Sequence, residues 1–98
     1  MNSKNRERNI NLYKAVLELK TLEEAMNFFD DLCTVKELEA MEQRYQVAEH
    51  LRDGLNYNEI LEKTGSSSAT ISRVNRSLQY GTGAYETVMS RLKDKEKE

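Results

Sequence analysis

The sequence predicts an all-α fold, and three observations support this prediction. The 98 residues include no proline and four glycines, and leucine, glutamate, lysine and alanine dominate long stretches, a composition that favours helices. Apolar residues recur at helical spacing in successive segments, and no segment alternates apolar and polar residues as a half-buried strand would. We therefore expect one six-helix domain over residues 1–98, with mobile tails at about 1–5 and 93–98.

The first three helices are predicted from apolar spacing and from threonine caps. Residues 5–19 carry apolar side chains at helical spacing, so we expect the first helix within this segment. Thr21 is followed three residues later by a glutamate, a capping box that opens a second helix over residues 22–32. Thr34 repeats this signal and opens a longer third helix, about 35–52, whose wide apolar stripe is typical of a helix with two neighbours.

The last three helices are predicted from caps and glycines. Asn56 starts a short fourth helix over residues 57–63 and is followed three residues later by a glutamate. Gly65 ends that helix, and the serines after it restart the chain as a fifth helix that runs to about Tyr80. A Gly-Thr-Gly segment then separates the fifth helix from a sixth over residues 84–92, whose Tyr85, Val88, Met89 and Leu92 are expected to face inward.

Several classes of protein are excluded by the sequence. No apolar run is long enough for a signal peptide or a membrane span, so we expect a cytoplasmic protein. Cys33 and His50 are the only cysteine and the only histidine, which argues against a disulfide and against a metal site. The adjacent carboxylates at 23–24 and 30–31 diverge on a helix, and no nucleophile or base accompanies them. We therefore predict no catalytic residue and no enzyme activity.

Charge is distributed unevenly along the chain, although the net charge is only −2. Residues 18–53 contain ten acidic and four basic residues, a net charge of −6, whereas residues 63–91 contain one acidic and four basic residues, a net charge of +3. One face can therefore attract phosphate while another repels it. An unevenly charged, solvated helix surface is the alternative explanation of this pattern.

The fourth and fifth helices have the features of a helix-turn-helix over residues 57–80. Helices joined in this way cross steeply, which requires a left-handed residue in the turn and apolar residues where the helices touch. Gly65 suits the turn. The expected apolar contacts are Ile60, Leu61, Ile71 and Val74. The glycine turn alone has moderate specificity, because many helical hairpins that do not bind DNA share it.

Small polar and basic residues occupy the outer side of the fifth helix. Small side chains at its N-terminal end let the backbone approach base edges, and serine hydroxyls can bond bases or phosphates. Free backbone N–H groups at the same end favour phosphate. The predicted DNA-contacting residues are Asn58, Ser66, Ser67, Ser68, Ala69, Ser72 and Arg76. The alternative is that the hydroxyls only cap the helix and the arginines are solvated.

A homodimer is expected for two reasons. Hydrophobic residues make up 38% of the chain and charged residues 33%, a thin supply of apolar surface for a core of this size. One helix-turn-helix makes too few contacts for strong specific binding, whereas two copies about 34 Å apart match successive major-groove turns. Both reasons favour a dimer on palindromic double-stranded DNA.

A specific set of residues between Asp31 and Leu78 matches a known family. They are Thr34, Glu39-Ala40, Arg44, Val47, Glu49, Leu51, Gly54, Glu59-Ile60, Gly65, Ala69-Thr70-Ile71-Ser72-Arg73 and Ser77-Leu78. With these residues the chain resembles the tryptophan repressor family. The resemblance implies an intertwined all-helical homodimer in which the first three helices and the last build a shared core. The fourth and fifth helices would then form the DNA-reading head.

The resemblance also implies an effector site. In that family a tryptophan corepressor lies between two arginines, and a threonine of the other subunit binds near its charged end. These positions correspond to Arg44, Arg73 and Thr34 of this chain. They are the candidate effector-binding residues.

Some positions near this site depart from the family pattern. Val74 replaces a glycine beside the second arginine, and its branched side chain would occupy space that a flat indole ring needs. Asp31 and Cys33 replace leucines, and the loop before the fourth helix is one residue shorter. We therefore expect no resident cofactor, and leave open L-tryptophan, another small effector or none. Without a ligand, the arginines would pair with carboxylates such as Glu49 or Glu59, or Arg73 would contact phosphate.

These observations predict a sequence-specific DNA-binding transcriptional regulator, with the repressor role inferred from the resemblance alone. A second hypothesis is a helical module that binds a protein partner through its apolar second and sixth helices, without DNA. A replication-initiator DNA-binding domain is a third hypothesis, which a chain without an ATPase disfavours.

Overall fold

The computed structural model describes residues 6–96, which form six α-helices. They are α1 (Ile10–Leu17), α2 (Leu22–Leu32), α3 (Val35–Arg52), α4 (Tyr57–Thr64), α5 (Ser68–Tyr80) and α6 (Ala84–Glu96). No strand occurs within residues 6–96, so the all-α prediction is confirmed. The mobile tail expected at residues 1–5 lies outside the described residues, as do residues 97–98.

Side-chain caps fix the starts of α2 and α3. The Thr21 hydroxyl accepts a hydrogen bond from the Glu24 amide at 3.0 Å, and the Glu24 carboxylate accepts one from the Lys20 amide at 3.0 Å. At α3 the exchange is reciprocal: Thr34 donates its amide to the Glu37 carboxylate at 2.8 Å and accepts the Glu37 amide at 3.1 Å. Each cap satisfies backbone donors that the first helical turn leaves unpaired.

The first helix lies where it was expected, and the last is longer than predicted. Helix α1 lies within residues 5–19, and Asn9 caps it by accepting a hydrogen bond from the Asn11 amide at 3.1 Å. Helix α6 continues beyond Leu92 to Glu96. Its last turn carries Lys93 and Lys95, whose positive charges favour a helix C-terminus.

The chain divides into two compact units, and the first of them extends to Leu38. Neither α1 nor α2 contains a buried residue. Large apolar side chains are instead exposed, including Leu17 at 83%, Leu22 at 77% and Val35 at 71%. The first unit therefore leaves much apolar surface in contact with solvent.

The second unit, from Glu39 onward, has a buried core. The buried apolar residues of the described chain come from α3, α4, α5 and α6, and they are Val47, Ala48, Ile60, Ile71, Val74 and Met89. Half-buried Tyr45, Leu51, Leu55, Tyr57, Leu78 and Tyr85 pack around them. Full burial of a large aliphatic side chain contributes about 1.5–3 kcal/mol, so this core holds the fourth and fifth helices in place.

Three predicted core contacts are wrong. Leu61 is 36% exposed, because it lies roughly 100° around α4 from the buried Ile60. On α6, Val88 and Leu92 are 46% and 50% exposed, although both were expected to face inward. These two residues share one side of the helix at a spacing of four, and the buried Met89 lies on the neighbouring side.

Candidate nucleic-acid interface

The turn between α4 and α5 is built from a capped helix and a left-handed glycine. Asn56 and Glu59 exchange amide-to-side-chain hydrogen bonds of 2.9 Å in both directions at the start of α4. Helix α4 ends at Thr64, and Gly65 follows with φ +69° and donates its amide to the Leu61 carbonyl at 2.9 Å. A Cβ at Gly65 would meet no atom within 4 Å, so the backbone angle and not space favours glycine here.

Two serines between the helices have different environments. Ser67 caps α5: its hydroxyl accepts a hydrogen bond from the Thr70 amide at 3.1 Å and contacts the Thr70 hydroxyl at 3.1 Å. Ser66 is only 1% exposed, and its hydroxyl has no hydrogen-bond partner among the described residues. An exposed DNA contact from the Ser66 side chain, which the sequence predicted, therefore does not fit its burial.

The other predicted contact residues are on the surface. Asn58, in the first turn of α4, is exposed, and so are Ser67, Ser68, Ala69, Ser72 and Arg76. The opposite face of α5 is anchored by the fully buried Ile71 and by Val74 at 2%. No acidic residue lies in the first turn of α5. The exposed face therefore combines small polar groups, free amide donors and a cation, all of which suit a polyanion.

The arginines expected at an effector site do not form the predicted ion pairs. Within residues 6–96 the ion pair is Arg52–Glu86 at 2.9 Å, between α3 and α6, and Glu86 also accepts a hydrogen bond from Ser90 at 2.9 Å. Arg44 is half-buried and Arg73 is exposed, and neither is in a salt bridge with a described residue. The expected partners Glu49 and Glu59 are therefore wrong.

The residues that follow the two arginines, Tyr45 and Val74, belong to the packing of the second unit. Val74, next to Arg73, is 2% exposed and belongs to the buried core, so its branched side chain fills the space that a glycine would leave. Tyr45 follows Arg44, and burial raises the pKa of its phenol, with a further contribution from Glu49. The phenol is therefore neutral at physiological pH.

Thr34 and Cys33 lie in the first unit. The Thr34 hydroxyl and amide are both hydrogen-bonded to Glu37, so this residue serves as the cap of α3. Cys33 is a free, half-buried thiol. No cluster of histidine, cysteine or carboxylate side chains that could hold a metal occurs between residues 6 and 96.

Open clefts occur among the described residues of the second unit, and the volumes of two of them are known. One, of about 380 Å³, lies around Tyr45, Arg52 and Leu92, and the other, of about 350 Å³, lies around Ser77 and Glu86. Neither cleft is lined by the two candidate effector arginines.

In the part of the chain that is described, no helix has the length and apolar character needed to cross a membrane.

Sequence reasoning missed one polar contact of the turn. The side-chain amide of Gln43, on α3, donates a hydrogen bond to the carbonyl of Thr64 at 3.1 Å. No local pattern connects these positions, because they are 21 residues apart in sequence. Only the crossing of the helices brings them together.

Comparisons with known proteins agree with this architecture. Residues 9–93 match the family model for Trp repressor protein. YerC of Bacillus subtilis (strain 168), an uncharacterised protein, is 51% identical over 87 residues, which cover 89% of this chain and 84% of that protein. A TrpR-like protein from Eubacterium eligens ATCC 27750 has a similar crystal structure, with a TM-score of 0.85, 49% identity and coverage of 93% of this chain and 95% of the other. A candidate Trp repressor from Staphylococcus aureus gives a TM-score of 0.85 with 45% identity, covering 92% of this chain and 91% of the other.

Proposed function

This chain belongs to the Trp repressor family, a regulatory and not an enzymatic family, and from that premise we propose that it is a sequence-specific DNA-binding transcriptional repressor. It would bind palindromic double-stranded DNA as a homodimer in the cytoplasm. One observation supports this most directly: α5 exposes a small, polar, acid-free N-terminal face while its other side is buried in the core. That combination presents a rigid helix to a groove.

The exposed residues divide into contacts that position the protein and contacts that recognise bases. The Ser67 and Ser68 hydroxyls and the free amides of the first turn of α5 suit a phosphate. The small side chain of Ala69 lets the backbone of α5 come close to the bases. Ser72 lies one turn further along, where its hydroxyl can reach a base edge. Arg76 suits a backbone phosphate. Ser66 is left out of this interface because its side chain is buried.

A homodimer is supported by the apolar surface of the first unit. Leu17, Leu22 and Val35 are more than two-thirds exposed, at 83%, 77% and 71%. A chain that leaves such side chains in water gains free energy by covering them with a second copy. Two reading helices related by a two-fold axis then match half-sites about 34 Å apart.

DNA binding is proposed to be independent of L-tryptophan. Val74 fills the space beside Arg73, and the hydrogen-bonding groups of Thr34 are occupied by Glu37. A calorimetric titration with L-tryptophan should therefore give no heat of binding. Micromolar affinity in that titration would contradict this part of the proposal.

The decisive experiment is selection of bound duplexes from a random pool, with and without L-tryptophan. We expect a palindromic consensus whose half-site spacing reports the dimer geometry, and the same consensus in both arms. Affinity for the selected duplex should fall steeply as salt rises, because phosphate contacts release counterions. DNA binding that is absent or insensitive to salt would overturn the proposal.

Single substitutions separate the two kinds of contact. Arg76→Ala should weaken binding to all duplexes and lower the salt slope by roughly one. Ser72→Ala should instead change the preference among sequences. Arg91→Ala, which removes an exposed cation from α6, is the matched control and should leave both properties unchanged.

A protein-binding module is the second candidate function. The observation that favours it is the exposure of Val88 and Leu92 on α6, at 46% and 50%. Its signature would be a stable complex with a protein partner in the absence of nucleic acid.

A further inference from the structure

The C-terminal end of α4 is capped by a side chain from another helix. The last carbonyl groups of an α-helix have no partner within that helix. The carbonyl of Thr64, the final residue of α4, accepts a hydrogen bond of 3.1 Å from the side-chain amide of Gln43 on α3, and both residues are half-buried. This contact joins α3 to the residue that immediately precedes the glycine turn.

The Thr64 hydroxyl extends this contact into the turn. It donates to the Ile60 carbonyl at 2.7 Å and accepts the Ser66 amide at 3.1 Å. Ser67 follows directly and caps α5 through the Thr70 amide at 3.1 Å. The Gln43 side chain is therefore connected to the first turn of α5 by hydrogen bonds and by the short backbone segment of residues 64–67.

We propose that Gln43 is a positioning residue that holds the start of α5 in the orientation needed to read DNA. This inference rests on the proposed function. The apolar packing of Ile60 and Ile71 in the common core is not directional, so it holds the two helices together without fixing the turn between them. The Gln43 bond is directional and acts at the residue where α4 stops.

Recognition of bases tolerates only small errors in the position of α5, and this determines the effect on function. Groups that bind a ligand through hydrogen bonds must be held to within about 0.5 Å by their supporting residues. Without the Gln43 bond, the turn gains freedom that must be lost again when α5 enters the groove. DNA affinity should therefore fall although Gln43 is not itself part of the exposed face of α5.

The test compares Gln43→Met with Gln46→Met in the full chain. Methionine keeps the length and apolar packing of glutamine but cannot donate the hydrogen bond. Gln46 is exposed on the same helix and makes no side-chain hydrogen bond to a described residue, so it is the matched control. Two quantities are measured: affinity for the selected duplex, and hydrogen exchange of the amides of Gly65, Ser66 and Thr70.

For Gln43→Met we expect exchange at these amides to be roughly fivefold faster and DNA affinity roughly fivefold weaker, the effect of one lost hydrogen bond. Gln46→Met should match the unmodified protein in both measurements. Unchanged exchange in Gln43→Met would overturn the inference. Faster exchange with unchanged affinity would also overturn it, because the bond would then stabilise the turn without positioning α5.

A second variant covers the case in which Gln43→Met does not fold. Thr64→Val removes the hydroxyl that links α4 to Ser66 and keeps the shape of the side chain. We expect faster exchange at the Ser66 amide and weaker DNA binding, and a wild-type result in either measurement would overturn the inference. If the unmodified protein binds no DNA, the proposed function fails, and the exchange data alone then show whether Gln43 holds the turn.

Discussion

The two units of the chain differ in whether they bury apolar residues in a core. In the second unit, Ile60 and Ile71 are fully buried, and four helices contribute to one core. In the first unit, α1 and α2 contain no buried residue, and Leu17 and Leu22 are mostly exposed. The second unit therefore has a core of its own, whereas the first exposes apolar surface to solvent.

Because of this difference in burial, we expect the two units to have different roles. A unit with its own core can hold a recognition helix in a fixed geometry within one chain. A unit that exposes leucines can bury them only against another surface, and a second copy of the chain is the partner proposed above. Substitutions in the two units should therefore affect different measurements.

The largest effect is expected in the core of the second unit. Ile60→Ala removes a fully buried side chain and should lower the free energy of unfolding by about 3 kcal/mol, the usual cost of such a cavity. Leu22→Ala removes a side chain that is 77% exposed and should change that free energy by less than about 0.5 kcal/mol in the monomer. Urea denaturation at low protein concentration measures both, and equal effects would contradict the contrast between the units.

The second-largest effect is expected on the formation of the homodimer. Leu22→Asp places a charge on the apolar surface of the first unit and should raise the dissociation constant of the homodimer roughly a hundredfold. Tyr80→Asp is the matched control, because Tyr80 belongs to the second unit and is 79% exposed, close to the 77% of Leu22. Sedimentation velocity over a range of concentrations gives both constants. A dimer weakened equally by the two substitutions would show that the first unit is not the main interface.

A smaller effect is expected at the turn of the second unit. Gly65 has φ +69°, so Gly65→Ala should lower the free energy of unfolding by about 1–2 kcal/mol, since a Cβ is unfavourable in the left-handed region. Gly65→Asn should recover part of this loss because asparagine tolerates that conformation better. Thermal unfolding of the two variants tests this order of stability. Equal stability of Gly65→Ala and the unmodified protein would contradict the prediction.

The smallest effect is a pH dependence in the first unit. A hydrogen bond with the backbone of Thr34 is the main reason that the pKa of Glu37 lies below its ordinary value of 4.5, and a hydrogen bond with the Thr34 side chain lowers this pKa further. Because the folded pKa is the lower one, the stabilisation is complete above pH 4.5 and is lost as the pH falls through the folded value. Glu37→Gln should therefore lose stability less steeply than the unmodified protein below pH 4.5.

Chemical denaturation at a series of acidic pH values measures this difference in slope. The control is Glu39→Gln, which neutralises a carboxylate on the same helix that makes no hydrogen bond with a described residue. It should keep the slope of the unmodified protein. A Glu37→Gln slope equal to that of Glu39→Gln would show that the Thr34 cap does not contribute.

Helix starts were predicted well because their signals are local. Thr34 with Glu37 and Asn56 with Glu59 form the expected reciprocal caps, each between residues three apart. The left-handed turn at Gly65 was likewise predicted from the glycine itself. Such interactions depend on side chains that are neighbours in the sequence, so no knowledge of the packing is needed.

Burial around the helices was predicted less well. Leu61 was expected to contact α5 and is partly exposed, whereas Ser66 was expected on the DNA-facing surface and is buried. Periodicity identifies an apolar side of a helix, but which neighbouring residue is covered depends on the angle at which helices cross. A serine in a turn carries no sequence signal that distinguishes a buried position from an exposed one.

The residue sequence alone specified the six helices, their caps, the glycine turn and the small polar face of α5, because each arises from interactions within a few residues of the chain. The packing of α3 against the later helices added the Gln43–Thr64 hydrogen bond, the burial of Ser66 and the Arg52–Glu86 ion pair. Those contacts join residues that are distant in sequence or enclosed by distant residues. Their geometry exists only after the helices have packed.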